Sequence, residues 1–312
     1  MQVRHPNVER NVIRDLRILR SVVNFATFVL PGYLKWMHLD EAVAEFSLTM
    51  RAQLDMAVEA KNLDAFNKNF AQYGQIVFPR AIAALCKPEV LVETFETGEE
   101  ISHFIDRPDS AEISKKELAR LGLGMYLKMM LIDNFSHNDL HPGNILVRKT
   151  LDNRPQLVIL DVGLVTRLTA RDWRNFLDLF KAVISGNADQ AATLMIERSR
   201  HRYATAEEEA KFKREMAEVI NDVMLQDLQH VEVGRVLQRV LDVGRRNHVG
   251  IESNFSSLVL GTVVVEGLAR QLNPDINFVL EAAPFLVMSP RVRRTFLRDL
   301  FSHRHVLTDQ QG

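Results

Sequence analysis

Apolar residues recur along the chain at two spacings, one helical and one of strand length. Val8, Val12, Leu16, Leu19 and Val23 follow a helical period among charged neighbours, which predicts an amphipathic first helix with a charged outer face. Leu39 to Phe70 reads as one long helix, with Asp40 as its N-cap and Val43, Phe46, Met50, Leu54, Val58 and Phe66 as its apolar stripe. Two short runs follow, Ile76-Val77-Phe78 and Val90-Leu91-Val92, each of strand length. Between Thr94 and Asp109 the chain turns polar around Gly98 and Pro108, which predicts a lobe boundary there. Ser114-Lys115-Lys116-Glu117 has the form of a capping box ahead of Leu118, Leu121, Met125, Met129 and Ile132 at helical spacing. Ile145-Leu146-Val147 and Leu157-Val158-Ile159-Leu160 flank the polar loop Arg148 to Pro155 and predict a hairpin. Thr169 and Thr205 then open two further helices through T-x-x-D and T-x-x-E boxes. The expected class is α+β, with helices and two short strands over residues 1–98 and a larger helical part carrying the hairpin over 99–312.

Composition narrows the function. With 312 residues and a 46% apolar share the chain can bury a sizeable core in two units, which argues against disorder. Lysine and arginine (39) balance aspartate and glutamate (40), so there is no electrostatic case for a nucleic-acid partner. The single cysteine, Cys86, excludes an internal disulfide and a multi-cysteine metal finger. Residues 1–20 carry charges throughout and do not read as a secretory or transit peptide. Leu258 to Leu268 is too short to span a bilayer, so no membrane-crossing helix is expected.

The chemistry concentrates after Phe135. His137-Asn138-Asp139-Leu140-His141-Pro142-Gly143-Asn144 precedes the first hairpin strand, and Asp161-Val162-Gly163 follows the second. Phosphoryl transfer assisted by Mg²⁺ needs a base to orient a hydroxyl and hard oxygen ligands to hold magnesium on phosphates, and these residue types supply both. The spacing of Asp139 and Asn144 equals that of a protein-kinase catalytic loop, and Asp161-x-Gly163 stands where its metal-binding D-x-G stands. Each residue alone would be an ordinary turn former. Together, in the order loop, strand, turn, strand, D-x-G, they point to a nucleotide site. His137 and His141 are expected to shape the loop by donating to backbone carbonyls. A zinc hydrolase built on His137-x-Asp139-x-His141 would want further ligands that the other histidines do not offer.

HNDLHPGNILV followed by LVILDVG resembles the phosphotransferase core shared by aminoglycoside and choline kinases and by the UbiB-type atypical kinases, the aarF-domain family. Leu54-Asp55-Met56-Ala57-Val58-Glu59-Ala60-Lys61-Asn62-Leu63, Arg4-His5-Pro6-Asn7-Val8, Ile132-Asp133-Asn134-Phe135, Glu252-Ser253-Asn254-Phe255 and Glu266-Gly267-Leu268-Ala269-Arg270 resemble the last of these families over nearly the whole chain. The resemblance implies a protein-kinase-like fold with a partial N-lobe and a helical C-lobe. It implies Asp139 as catalytic residue, Asn144 and Asp161 as magnesium ligands, and Glu59 as the glutamate that pairs with the nucleotide lysine. It further implies ATP and Mg²⁺ as cofactors, a membrane lipid or lipid-like substrate, and a mitochondrial, membrane-associated role in coenzyme Q or lipid metabolism.

Departures from the family pattern shape the expectations. The family's lysine aligns with Gln2, and an amide supplies no charge to phosphates. Its K-x-G-Q helix and alanine-rich nucleotide loop would lie before Met1, so the N-lobe is expected to be shortened. Two other readings therefore stand beside an atypical kinase or ATPase: a catalytically impaired scaffold binding lipid or a partner protein, and a small-molecule phosphotransferase of choline or aminoglycoside type. Arg291, Arg293, Arg294 and Arg298 around Val292, Phe296, Leu297, Leu300 and Phe301 fit a helix lying on anionic lipid.

Overall fold

The computed structural model describes residues 1–29, 39–109, 113–199, 205–224, 231–249 and 253–288. They fall into two compact units. The first holds Met1–Gly98 and Val158–Val165, and the second holds Glu99–Leu157 and the chain from Thr166 onward.

In the first unit β1 (Gln2–Val3) leads to α1 (Val8–Val29), α2 (Leu39–Gln53) and α3 (Met56–Asn69). The chain then forms β2 (Ile76–Val77), a 3₁₀ turn (Ala83–Leu85) and β3 (Val90–Leu91). β1 pairs antiparallel with β3, Gln2 opposite Leu91 and Val3 opposite Val90. The single helix expected over Leu39 to Phe70 is broken at Leu54 and Asp55. Asp55 adopts an extended backbone and its Oδ1 accepts the Ala57 N–H at 2.9 Å, so a carboxylate within the apolar repeat starts a new helix. The break is tied down from outside, because the Leu54 carbonyl accepts from Arg4 Nη1 at 2.8 Å and Pro88 O accepts the Met56 N–H. Leu63, Phe66, Phe70, Phe78 and Leu91 fill the core, with Phe66 stacked on Phe78 at 4.8 Å between ring centroids. The N-cap expected at Asp40 concerns a side chain outside those described.

The second unit begins with β4 (Glu99–Glu100), α4 (Ser102–Asp106) and α5 (Lys115–Lys128). A π-turn (Met129–Asp133), β5 (Ser136–His137) and a 3₁₀ turn (Pro142–Asn144) follow, then β6 (Ile145–Lys149) and β7 (Pro155–Ile159). β4 pairs antiparallel with β6, and β6 and β7 are the hairpin expected from sequence, its turn closed by the Thr150 N–H on Arg154 O at 2.8 Å. After β8 (Val165–Thr166) the chain is helical: α6 (Ala170–Ile184), α7 (Ala188–Arg198), α8 (Ala206–Met224), α9 (Val233–Arg246), α10 (Ser253–Leu272) and α11 (Phe278–Met288). The threonine boxes hold. Thr169 Oγ1 accepts the Asp172 N–H, and Thr205 and Glu208 exchange both of their capping bonds. Ser114 makes no side-chain cap bond, and the first N–H of the helix, that of Lys115, goes to Asp109 Oδ1 from outside the motif.

α5 packs on α10, and α10 on α9. The α9–α10 approach is so close that a Cβ on Gly234 would lie 2.8 Å from the Val263 backbone. Phe255–Leu272 of α10 is long and apolar enough to cross a membrane, unlike the shorter run weighed from sequence, yet half of it is buried within this helical unit. The segment Arg291 to Phe301 lies outside the described residues.

Candidate active site

Asp139 and Asn144 belong to the second unit. The last turn of α5 widens into the π-turn Met129–Asp133, an irregularity that often marks functional sites. Lys128 Nζ grips both oxygens of Asp133 at 2.8 and 2.6 Å, both side chains being nearly buried. The π-turn directs the Met130 carbonyl outward to the Trp173 indole N–H at 3.1 Å. Asn134 then takes a left-handed conformation (φ 50°), and its amide donates to Leu168 O at 2.8 Å and accepts the Leu168 N–H at 3.0 Å. Next to the site, Asn138 Nδ2 donates to Thr166 Oγ1.

The loop that follows is fixed through its backbone. His137 is fully buried and its Nδ1 accepts the Asp139 N–H at 3.0 Å. Asn144 Nδ2 donates to Asp139 O at 2.9 Å. His141 Nδ1 accepts the Gly143 N–H at 3.1 Å, and a Cβ on Gly143 would press on that ring. Both histidines shape the loop, each through an Nδ1 that accepts a backbone N–H. Asp139 is thus held at both ends of its backbone, while among the described residues its carboxylate makes no hydrogen bond. The Asn144 contact turns its amide nitrogen to Asp139 and leaves Oδ1 as an available acceptor.

Glu59 and Asp161 belong to the first unit. Glu59 and Asn62 project from adjacent turns of α3 and take the two sides of the Val162 peptide: Glu59 accepts its N–H, and Asn62 Nδ2 donates to its carbonyl at 2.9 Å. This grip holds Asp161 in a left-handed conformation (φ 48°), rare for a residue with a side chain. Asp161 Oδ1 accepts the Gly163 N–H at 3.3 Å, and a Cβ on Gly163 would sit 3.4 Å from that oxygen and 3.7 Å from Glu59 Oε2.

Glu59 is 8% exposed, and its Oε1 is buried with no hydrogen-bond partner. Burial, followed by the charges of Asp161 and Glu93, pushes its pKa up to about 7 against a partial offset from the Val162 N–H. Glu93 is also raised, first by burial. Gln2 donates to Glu93 Oε1 at 3.4 Å. Glu93 is a site neighbour that sequence reasoning missed; a lone glutamate after Val90-Leu91-Val92 gave no signal.

Among the described residues no group of three or more histidine, cysteine, aspartate or glutamate side chains is placed to hold a metal ion. The first unit offers the Asp161 carboxylate and the second Asn144 Oδ1, each a hard oxygen donor. Either donor type suits Mg²⁺, which commonly binds through one or two side chains and completes its shell with phosphate oxygens and water.

The chain matches the model of the ABC1 atypical kinase-like domain over residues 1–195 and that of the UbiB helical domain over residues 216–277. It is 35% identical to the probable serine/threonine-protein kinase abkC of Dictyostelium discoideum, over 96% of this chain and 52% of the relative. It is 32% identical to the mitochondrial ABC1 family protein C21C3.03 of Schizosaccharomyces pombe, over 92% of this chain and 46% of the relative. Identity to the probable protein kinase UbiB of Shewanella woodyi is 28%, over 92% of this chain and 51% of the relative. The chain spans about half the length of the relatives it matches. The fold is similar to that of Mycobacterium tuberculosis Rv3197, solved with erythromycin, at a TM-score of 0.58 and 15% identity over 91% of this chain and 70% of that one.

Proposed function

Because the chain belongs to the ABC1 atypical kinase-like family, we propose that it carries a Mg²⁺-dependent ATP site for phosphoryl transfer or ATP hydrolysis, acting at a mitochondrial membrane in coenzyme Q or lipid metabolism. The observation that carries the reading is Asp139, whose backbone is fixed by His137 and Asn144 while its carboxylate stays unengaged. A carboxylate so placed can orient a hydroxyl or water and take its proton at Oδ as the oxygen attacks phosphorus. Asn144 Oδ1 and the Asp161 carboxylate would hold magnesium, whose contribution when bound is to neutralise charge on the phosphate oxygens. Glu59 and Asn62 hold Asp161 in its left-handed conformation through the Val162 peptide. The mitochondrial assignment draws on relatives named as mitochondrial ABC1 family proteins.

Thermal melting with Mg²⁺ and ATP tests the binding step, and phosphate release tests turnover. Wild type should be stabilised by the pair together, Asp161→Asn should lose that response, and Asp139→Asn should keep it while losing turnover. A wild type unmoved by Mg²⁺-ATP would sink the reading. A second reading has its own support: Gln2 carries no charge and turns to Glu93, so a scaffold without turnover accounts for the orphaned Glu59 oxygen. Stabilisation by Mg²⁺-ATP without phosphate release from wild type would favour it.

A further inference from the structure

α1 is a helix of 22 residues, and among the described residues Leu16 is its buried side chain. Its opposite side is divided lengthwise. Arg10, Arg14 and Arg17, spaced four and three apart, share one exposed stripe in the N-terminal half. In the C-terminal half that stripe continues into Phe25 and Phe28, 69% and 83% exposed, beside Ile18, Val22 and Val29, each more than half exposed. Among the described residues neither Arg10 nor Arg17 has an ion-pair partner, and Arg14 meets Asp15 alone. The arginines border an open hollow of about 800 Å³ at the start of the helix, where Arg4 is already paired with Glu9 and Glu89.

Solvent-exposed phenylalanines two turns beyond a row of exposed arginines, on one side of one helix, make a surface that a solvated helix does not need. We propose that this side of α1 docks on an anionic lipid surface, Phe25 and Phe28 entering the acyl boundary and Arg10, Arg14 and Arg17 lying among headgroup phosphates. Charge complementarity selects this occupant: apolar contact alone would serve any partner, but three clustered guanidinium groups call for a dense array of phosphates. At about 33 Å the helix is long enough to keep its basic half at the surface while its apolar half dips below. The inference rests on the membrane placement proposed above and is independent of catalysis.

The test is co-sedimentation of the 312-residue chain with phosphatidylcholine vesicles, with and without phosphatidylglycerol. Wild type should bind the anionic vesicles, weaken in high salt and ignore the neutral ones. Val22→Asp/Phe25→Asp and Arg14→Glu/Arg17→Glu should each lower affinity about tenfold or more, with unchanged melting temperatures because all four side chains are exposed. Equal binding to neutral and anionic vesicles, or anionic binding that both pairs leave unaltered, overturns the role of α1 while leaving membrane placement intact. Absence of vesicle binding overturns both. A dimer in sedimentation velocity that Val22→Asp/Phe25→Asp dissolves, without vesicle binding, assigns the face to a second copy instead.

Discussion

Replacing Glu59 by glutamine should stabilise the first unit above neutral pH. The wild-type carboxylate is buried, one of its oxygens has no partner, and the charges of Asp161 and Glu93 oppose its ionisation. Its proton is therefore lost at about pH 7 in the folded chain, against 4.5 for the ordinary side chain. Between those values the folded state holds more protons than the unfolded state, so stability is greatest below pH 4.5 and declines until pH 7 is passed. At roughly 1.4 kcal/mol per pH unit the decline reaches about 3 kcal/mol, and relaxation around the charge brings the expected value to ~2–3 kcal/mol. Glutamine keeps an acceptor for the Val162 N–H and turns a donor toward the acidic neighbours, without titrating. Native-state amide exchange of α3, followed from pH 5 to pH 8, reads the stability of this unit. The variant should match wild type within about 0.5 kcal/mol at the acid end and exceed it by ~2 kcal/mol at the alkaline end. A difference that does not change with pH, or a variant less stable at pH 8, would refute the reasoning.

Three further outcomes follow from the packing. Gly234→Ala places a methyl against the Val263 backbone and should lower the denaturation free energy of the helical unit by about 1–3 kcal/mol; an unchanged urea midpoint would mean that α9 and α10 can part freely. Asp133→Ala removes the carboxylate that pairs with buried Lys128 Nζ and should cost about 3–5 kcal/mol, a loss that Lys128→Met in the same chain largely restores. Asp55→Ala removes the cap that starts α3 and should cost about 1 kcal/mol, seen as faster exchange in the first turn of α3 and no change in α5.

Local chemistry made much of this architecture readable. Thr169 and Thr205 cap as their spacing predicts because donor and acceptor lie within one turn, and the hairpin follows from two apolar runs around a polar loop. Asp139, Asn144 and Asp161 stand out through spacing alone, yet their surroundings do not. The break at Asp55 is hidden because Leu54 and Val58 continue the apolar repeat across it, and the contacts that enforce it come from Arg4 and Pro88, remote in sequence. Ser114 forms no side-chain cap, and the Lys115 N–H beside it is taken by Asp109, a contact that the box pattern does not include. Trp173 finds its partner only because a π-turn frees the Met130 carbonyl, a geometry that no periodicity encodes. The Glu266-x-x-x-Arg270 motif was legible as a family mark, but its work was not. Both Glu266 oxygens accept N–H groups at the start of α9, from Val233 and Gly234, and Arg270 braces the pair from the next turn of α10.

The grip of α3 on the Val162 peptide also sets a clock. Asn62 and its partner are 100 residues apart, and Val158–Val165 completes a unit whose other residues all precede Glu99. On a ribosome adding roughly 5–20 residues per second, Glu59 and Asn62 would wait about 5–20 s for the strand end that satisfies them. During that interval the nascent first unit exposes the surface that Val158, Ile159 and Val162 later cover. Chaperone engagement should therefore peak before residue 165 leaves the exit tunnel and fall after it, placing the vulnerable moment of biogenesis at the assembly of the D-x-G segment.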